Sequence, residues 1–455
     1  MQTSTNQQDN LVLSDSVQHA KNLKALQGAA ISPQDKAILR DLAKHVKEIA
    51  ESPLMLERIK AWTNHNDLKP SRPMILLELM GLGPEKELLY QAFPKAGAFL
   101  KRQCEGDYAY ELEQQLKKKC IEHMTIGDDT VVDGYFNIGW IADSGNYGVE
   151  INRNRGVDST GRDLAYLAVP PIPDMTKAPE MLKPRVYSCD KQASLHNKAV
   201  AQDIFGDILE VRMRSLPWWT LGLTWQLIDL IGMENMLVGM IEEPEAIHHI
   251  MDYLCEEHIR YAQFLEQEGI YCPNTGNDYV GSGTKGYTTD LPKDGRRPDG
   301  GAYLKDTWVL IESQETVSVS TDMFSEFVLP YHRKIAEYFG LVYYGCCEPL
   351  DKRIAGVKSI PNLRSMSISP WSDEEAMAKE CGKSYVYSRK PAPSQLSGPV
   401  VDYDAVGRDI EHTLKVAGGC SLEIVMKDLH TTSGDIMRIK KWVDMARSLA
   451  GSVGR

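Results

Sequence analysis

Leu341–Leu350 reads LVYYGCCEPL. Four aliphatic, β-branched and aromatic residues are stopped by Gly345, and two thiols and a carboxylate follow at once. A short apolar run bounded by a turn residue reads as a strand buried on both faces, the environment of a parallel sheet. Cys346, Cys347 and Glu348 then stand at its C-terminal end. Thiolate and carboxylate are both zinc ligands, so one reading is a soft-metal site. The other is that the cysteines are small core hydrophobes, the usual fate of a free thiol. Successive strand residues face opposite sides, so only one of the pair can be pure core.

The flanking sequence repeats the pattern. Trp308–Glu312 reads as a strand, followed by a helical stripe through Phe324, Phe327, Tyr331, Ile335 and Tyr338 with a break at Pro330. Arg364–Ser369 is the next strand, and the box Ser372-x-x-Glu375 opens a helix that Gly382 closes. Tyr385–Ser388 (strand), Tyr403–Ala417 (helix), Ser421–Met426 (strand) and Asp435–Ala450 (helix) complete the series. Strands alternating with helices at this spacing imply parallel βαβ units. Earlier strand candidates at Met74–Leu79, Leu209–Met213 and Gly269–Cys272 bring the count to the eight of a closed barrel. The expected fold is α/β, a TIM-type (β/α)8 barrel over residues 71–455. A doubly wound open sheet is the alternative, without the Gly-x-Gly-x-x-Gly that would mark a dinucleotide site. A helix runs from Pro244 to about Glu266, and the region from Gly127 to Arg214 stays unassigned. Residues from Gln18 to Leu68 are helical in pattern, with Ile38, Leu39, Leu42, Val46 and Ile49 forming a stripe, so residues 1–70 are expected to be an N-terminal helical extension.

With 455 residues, 42% hydrophobic and 25% charged, the chain has the composition of a globular protein. A net charge of −12 argues against a nucleic-acid partner, which needs basic phosphate contacts. No run is long enough to span a membrane, the polar start MQTSTNQQDN is no signal segment, and nine unpatterned cysteines suit a reducing compartment. A cytoplasmic protein without a membrane partner is expected, with a dimer as the working oligomeric state.

Barrel chemistry sits where strands end. Those ends carry Glu312-Ser313-Gln314-Glu315, Cys346-Cys347-Glu348, Ser369-Pro370-Trp371, Arg389-Lys390 and Lys427-Asp428-Leu429-His430, and a glycine-rich loop adds Asn277-Asp278-Tyr279. Glutamate, paired cysteines and histidine make a metal palette of mixed hardness, with Cys347, Cys346, Glu348 and His430 the candidate ligands. Glu312 and Glu315 read equally as solvated loop carboxylates, and His430 as a helix-end residue. Trp218 and Trp219, in LPWWTLGLTW, suit a flat apolar substrate, although aromatic clusters are more often core. Asp428-x-His430 followed by Gly434 looks like the opening of a corrinoid-binding signature. The glycine falls one place late and about two dozen residues remain, so the chain is not expected to carry its own corrinoid.

Phe324-x-x-Phe327-x-x-Pro330-Tyr331, with Gly232-Met233-Glu234 and Glu243-Pro244-Glu245, resembles the uroporphyrinogen decarboxylase superfamily from about Met74 onward. The resemblance implies a TIM-type barrel and one of two activities. The decarboxylase branch carries an arginine-rich segment near the first strand, where this chain reads Arg72-Pro-Met-Ile-Leu-Leu-Glu. The methyltransferase branch holds zinc through His-x-Cys and a distant cysteine. Here the matching centre is Gly345-Cys346-Cys347, and no cysteine falls near Lys427–His430. What the resemblance implies, with methyl-ether-opening members in view, is a zinc-dependent methyltransferase. It would pass a methyl group from a small-molecule methyl ether to the Co(I) corrinoid of a separate corrinoid protein. Glu312 and Asp278 are its expected catalytic groups, and Tyr279, Trp218 and Trp219 its substrate contacts. The alternatives are a metal-free decarboxylase, a methylcorrinoid:acceptor methyltransferase and a non-enzymatic scaffold.

Overall fold

Strands buried on both faces need covering helices, and the chain supplies them in alternation. The computed structural model describes residues 31–157, 163–215, 217–293, 295 and 297–452. Its parallel strands are β1 (Met74–Leu77), β2 (Tyr135–Gly139), β3 (Glu210–Arg214), β4 (Trp308–Ile311), β5 (Leu341–Tyr344), β6 (Leu363–Ile368), β7 (Val386–Arg389) and β8 (Ser421–Met426). Six form one sheet in the order β1-β8-β7-β6-β5-β4, and β2 pairs with β3 separately. The last strand lies beside the first, Met74 opposite Glu423 and Leu77 opposite Met426. The fold is mixed α/β on a parallel sheet.

Both outer edges of that sheet are satisfied by side chains and loop backbone. Along β1, the Ile75 and Leu77 amides donate to Asp129 Oδ2 and Asp128 Oδ2 at 2.8 and 2.9 Å. Along β4, Asn274 accepts from the Trp308 amide at 2.8 Å and donates to its carbonyl at 2.9 Å, while the Leu221 amide bonds to the Leu310 carbonyl. Buried backbone groups need partners, and these residues provide them where no ladder continues among the described residues.

Side chains divide between faces with period two. Ile311, Val342, Tyr344, Met366, Ile368, Tyr387, Ile424 and Met426 join the large core shared with the helices. Trp308, Leu310, Leu341 and Tyr343 pack on the opposite face with Val280 and Leu291. On that face the Tyr343 hydroxyl donates to Ser388 at 2.8 Å, and Ser388 in turn bonds to Glu423. The face is apolar over β4 and β5 and polar over β7 and β8.

The N-terminal layer begins with α1 (Pro33–Ala50) and α2 (Pro53–Asn66). Each starts with a serine cap followed by proline: Ser32 accepts from the Asp35 amide and Ser52 from the Met55 amide. Leu39, Leu42 and Val46 pack with Met55, Trp62, Met74, Leu76 and Val425, so this layer is tied to β1 and β8. Residues 18–30 of the expected helical region lie outside the described residues.

The expectations need correcting in four places. Gly269–Cys272 is not a strand. Gly269 takes φ +69° at the end of helix Pro244–Gln267, and the next two amides turn back to the Leu265 carbonyl. The run is buried because it is apolar, not because it is paired. The missing strand is β2, inside the unassigned glycine- and asparagine-rich region. Ser372 does not cap its helix; Asp373 does, accepting from the Ala376 amide at 2.9 Å. The break in the Phe324–Tyr338 stripe falls at Val328, which separates helices Thr321–Phe327 and Leu329–Ala336 and leaves Pro330 in a first turn, where it needs no amide donor.

Candidate functional site

Strand β5 ends at Gly345, whose φ of +96° is open to glycine and strained for any other residue. A Cβ there would lie 3.2 Å from both Leu350 and Ser367. The turn undoes the strand alternation and brings the next two thiols together, with Cys346 and Cys347 Sγ 3.6 Å apart. Cys346 is buried and Cys347 exposed. Around the pair, Lys427 Nζ donates to Cys346 Sγ over 3.7 Å and to Ser282 Oγ at 2.6 Å. The Cys347 thiol faces Asp428 Oδ2 over 3.8 Å. The Cys347 thiol and then burial push the Cys346 thiol above its ordinary range, against the pull of the Lys427 ammonium.

Three carboxyls follow strands β4 and β5. Glu348 is fully buried and accepts from the Ser313 and Cys346 amides, both at 2.9 Å, so it clamps the ends of β4 and β5 together. Glu312 Oε2 accepts from the Gln314 amide at 2.9 Å, while its Oε1 is buried without a partner. Burial, then the neighbouring Glu315 and Glu348 carboxylates, raise the Glu312 carboxyl well above the usual range. Glu315 accepts from Thr224 Oγ1 at 2.6 Å and is also raised, first by burial.

Cys347 opens onto a cavity of about 490 Å³ that it lines with Gln314, Glu315, Val317, Pro349 and Trp371. Trp371 is 74% exposed, a flat apolar wall at the rim. It stands at the end of β6, the position that marks it in the sequence. Trp218 and Trp219 are absent from this cavity lining. Trp218 stacks on Tyr271 with centroids 5.8 Å apart, and Trp219 packs against the cluster of Trp308, Leu310 and Tyr343.

The other candidates are placed as follows. Asp278 is ion-paired with Arg214 and accepts from the Gly276 amide. Tyr279 belongs with the thiols electrostatically: burial and then Glu78 raise its hydroxyl far above the ordinary range, opposed by Lys427. His430 is exposed on the loop after β8. Among the described residues no three His, Cys, Asp or Glu side chains converge as a metal-binding group. The thiol pair is nevertheless spaced for one: two sulfurs about 2.3 Å from a tetrahedral zinc stand about 3.8 Å apart. The observed 3.6 Å fits, and Asp428, 3.8 Å from Cys347 Sγ, is a carboxylate beside the pair that could complete the set.

Two lysines from the strand ends named in the sequence, Lys390 and Lys427, carry the polar face, and both are buried. Period two from Glu423 through Val425 is the signal that turns Lys427 inward. Lys390 donates to Tyr343 Oη at 3.0 Å and to Ser388, beside Glu423, which also takes Thr284 at 2.6 Å and lies 3.4 Å from His65. Burial lowers the Lys390 ammonium to about 8, with Glu423 resisting and Lys427 adding to the fall.

The sign of the resulting pH dependence is fixed. Between about pH 8 and the ordinary 10.5 the unfolded chain holds a proton that folded Lys390 has lost, so this residue makes stability rise with pH across that window. Below pH 8 its penalty is fully present. Urea midpoints at pH 7 and pH 10 should therefore differ between wild type and Lys390→Met by a slope as well as an offset. Parallel profiles would refute the assignment.

No protein-family model and no curated protein sequence matches the chain. Among solved structures, a methyltransferase from Methanosarcina mazei is similar, with TM-score 0.48 and 12% identity over 88% of this chain and 99% of that one. A likeness that distant bears on neither activity nor ligands.

Proposed function

We propose that the chain is a (β/α)8-barrel methyltransferase of the cytoplasm that takes a methyl group from a methyl ether, a methoxylated aromatic first among them. The acceptor is the Co(I) corrinoid of a separate corrinoid protein. In this reading the described part of residues 71–455 makes the barrel, and helices α1 and α2 belong to its N-terminal extension. The observation that carries the reading is the thiol pair, 3.6 Å apart at the end of a central strand and open to a cavity walled by Trp371. The barrel is supported by β8 lying beside β1, and by Asp128 and Asp129 tying the approach to β2 onto β1.

Cys346 and Cys347 would hold zinc, with Asp428 the third candidate. Zinc supplies Lewis acidity that lowers the cost of a departing alkoxide or phenolate, and the partner's corrinoid supplies the nucleophile. The chain's own residues do the rest. Glu348 fixes the Cys346 backbone to the end of β4, so the thiols are held on rigid elements. Glu312, whose carboxyl burial raises well above its ordinary range, would serve as the general acid for the leaving oxygen from behind the cavity lining. Trp371 and Val317 offer an apolar wall to an aromatic ring. The metal-free decarboxylase alternative gains Lys390 and Lys427 on one face, but both ammoniums already bond to protein acceptors.

Elemental analysis of the purified chain, paired with methyl transfer from a methoxyarene to added Co(I) corrinoid, tests the proposal. About one zinc per chain and a change in corrinoid absorption dependent on the ether are expected. A folded, metal-free chain would sink it.

A further inference from the structure

We propose that Cys346 and Cys347 are a reversible two-electron redox site that closes into a disulfide between adjacent residues on meeting a hydroperoxide. The inference rests on sulfur geometry and does not need the metal. Of the nine cysteines Cys347 alone is exposed, and it faces the cavity. Its neighbour's sulfur is buried 3.6 Å behind it, which is the arrangement of an accessible thiol with a resolving thiol in place. The turn at Gly345 creates this approach; on an unbroken strand the two sulfurs would point apart.

The chemistry balances in two steps. The Cys347 sulfur attacks the peroxide O–O bond, an S–O bond forms, and the other oxygen leaves as water or alcohol. The Cys346 sulfur then attacks the Cys347 sulfur; the S–S bond forms, the S–O bond breaks, and the hydroxyl leaves as water with the Cys346 proton. Two thiols lose two hydrogens and one hydroperoxide is reduced. Adjacent Cα atoms are about 3.8 Å apart, below the range of about 4.4–6.8 Å in ordinary disulfides. Such a ring is strained and easily reduced, so the pair is a switch, not a structural staple. Where zinc is bound, closing the ring removes both sulfur ligands at once.

The test uses the full chain, treated with a zinc chelator, reduced, desalted and exposed to one equivalent of hydrogen peroxide. Trypsin releases Ile335–Lys352, which contains both cysteines and no other. That peptide should lose about 2 Da and regain it with dithiothreitol. Phenylarsine oxide, which needs two close thiols, should bind the reduced chain and block the change. In Cys346→Ser the same equivalent of peroxide should instead leave Cys347 as the sulfenic acid, trapped by dimedone, and a second equivalent should take it to sulfinate. Sulfinate in the wild-type peptide with Cys346 still free, or prior oxidation of other cysteines, overturns the proposal. The zinc content of untreated protein is a separate readout: a metal-free chain that still closes the ring defeats the zinc reading and leaves this one standing.

Discussion

Cys347→Ala should lose its zinc and about 10³-fold in methyl transfer while keeping its fold. The thiol is exposed and its one oxygen contact is a weak one, so truncation costs about 1 kcal/mol or less. Zinc's contribution to the departing oxygen is worth several kcal/mol, and each 1.4 kcal/mol or so is tenfold in rate. Cys346→Ala should show the same metal loss with a larger stability cost, because its sulfur is buried among Ser282, Lys427 and Cys347. Metal content by atomic absorption and thermal melting separate the two effects. If the cysteines were merely packing, Cys347→Ala would retain full turnover, and that result would end the metal reading.

Glu312→Gln is expected to stabilise the protein and slow it by about 10²–10⁴-fold, the usual worth of a positioned general acid. The folded chain keeps a proton on Glu312 that the unfolded chain surrenders near pH 4.5. Above that pH the wild type therefore loses stability as pH rises, by up to about 1.4 kcal/mol per unit until the folded carboxyl titrates. Glutamine removes the slope. Its oxygen still accepts the Gln314 amide, and its NH₂ occupies the place where Oε1 has no partner. At pH 8 the variant should melt higher than wild type and turn over far more slowly, the trade expected where a site stores strain. Lower stability at every pH, or unchanged turnover, would show that Glu312 is a structural carboxylate.

The strands from β4 onward were legible because buried parallel strands are short apolar runs at regular spacing, and the helices between them keep their period. Gly269–Cys272 has the same composition, but its first three amides belong to a helix end and the fourth to Ser215, which local sequence does not distinguish. Tyr135–Gly139 was hidden by Asn137 and a polar neighbourhood. At the site, strand ends pointed to Glu312, Cys346 and Cys347. The clamp by Glu348 was not readable, since its partner amide on Ser313 lies 35 residues away in the chain. Strand ends also pointed to Lys390 and Lys427, but not to their burial, which is rare for lysine; only the alternation Ser388-x-Lys390 and Glu423-x-Val425-x-Lys427 turns them inward. Trp218 and Trp219 drew attention by their size, whereas the exposed Trp371 lines the cavity.

The pairing of β1 with β8 also sets a timetable. Met74 meets Glu423, so the first strand's ladder partner leaves the ribosome roughly 350 residues later, about 20–70 s at ordinary rates of translation. On its other edge the Ile75 and Leu77 amides are taken by the carboxylates of Asp129 and Asp128. Those side chains lie 54 and 51 residues along the chain from the amides they take, so that edge of β1 can be satisfied long before β8 is made. A nascent chain stalled before Ser421 leaves one side of β1 unpaired, the kind of exposed edge that chaperones bind.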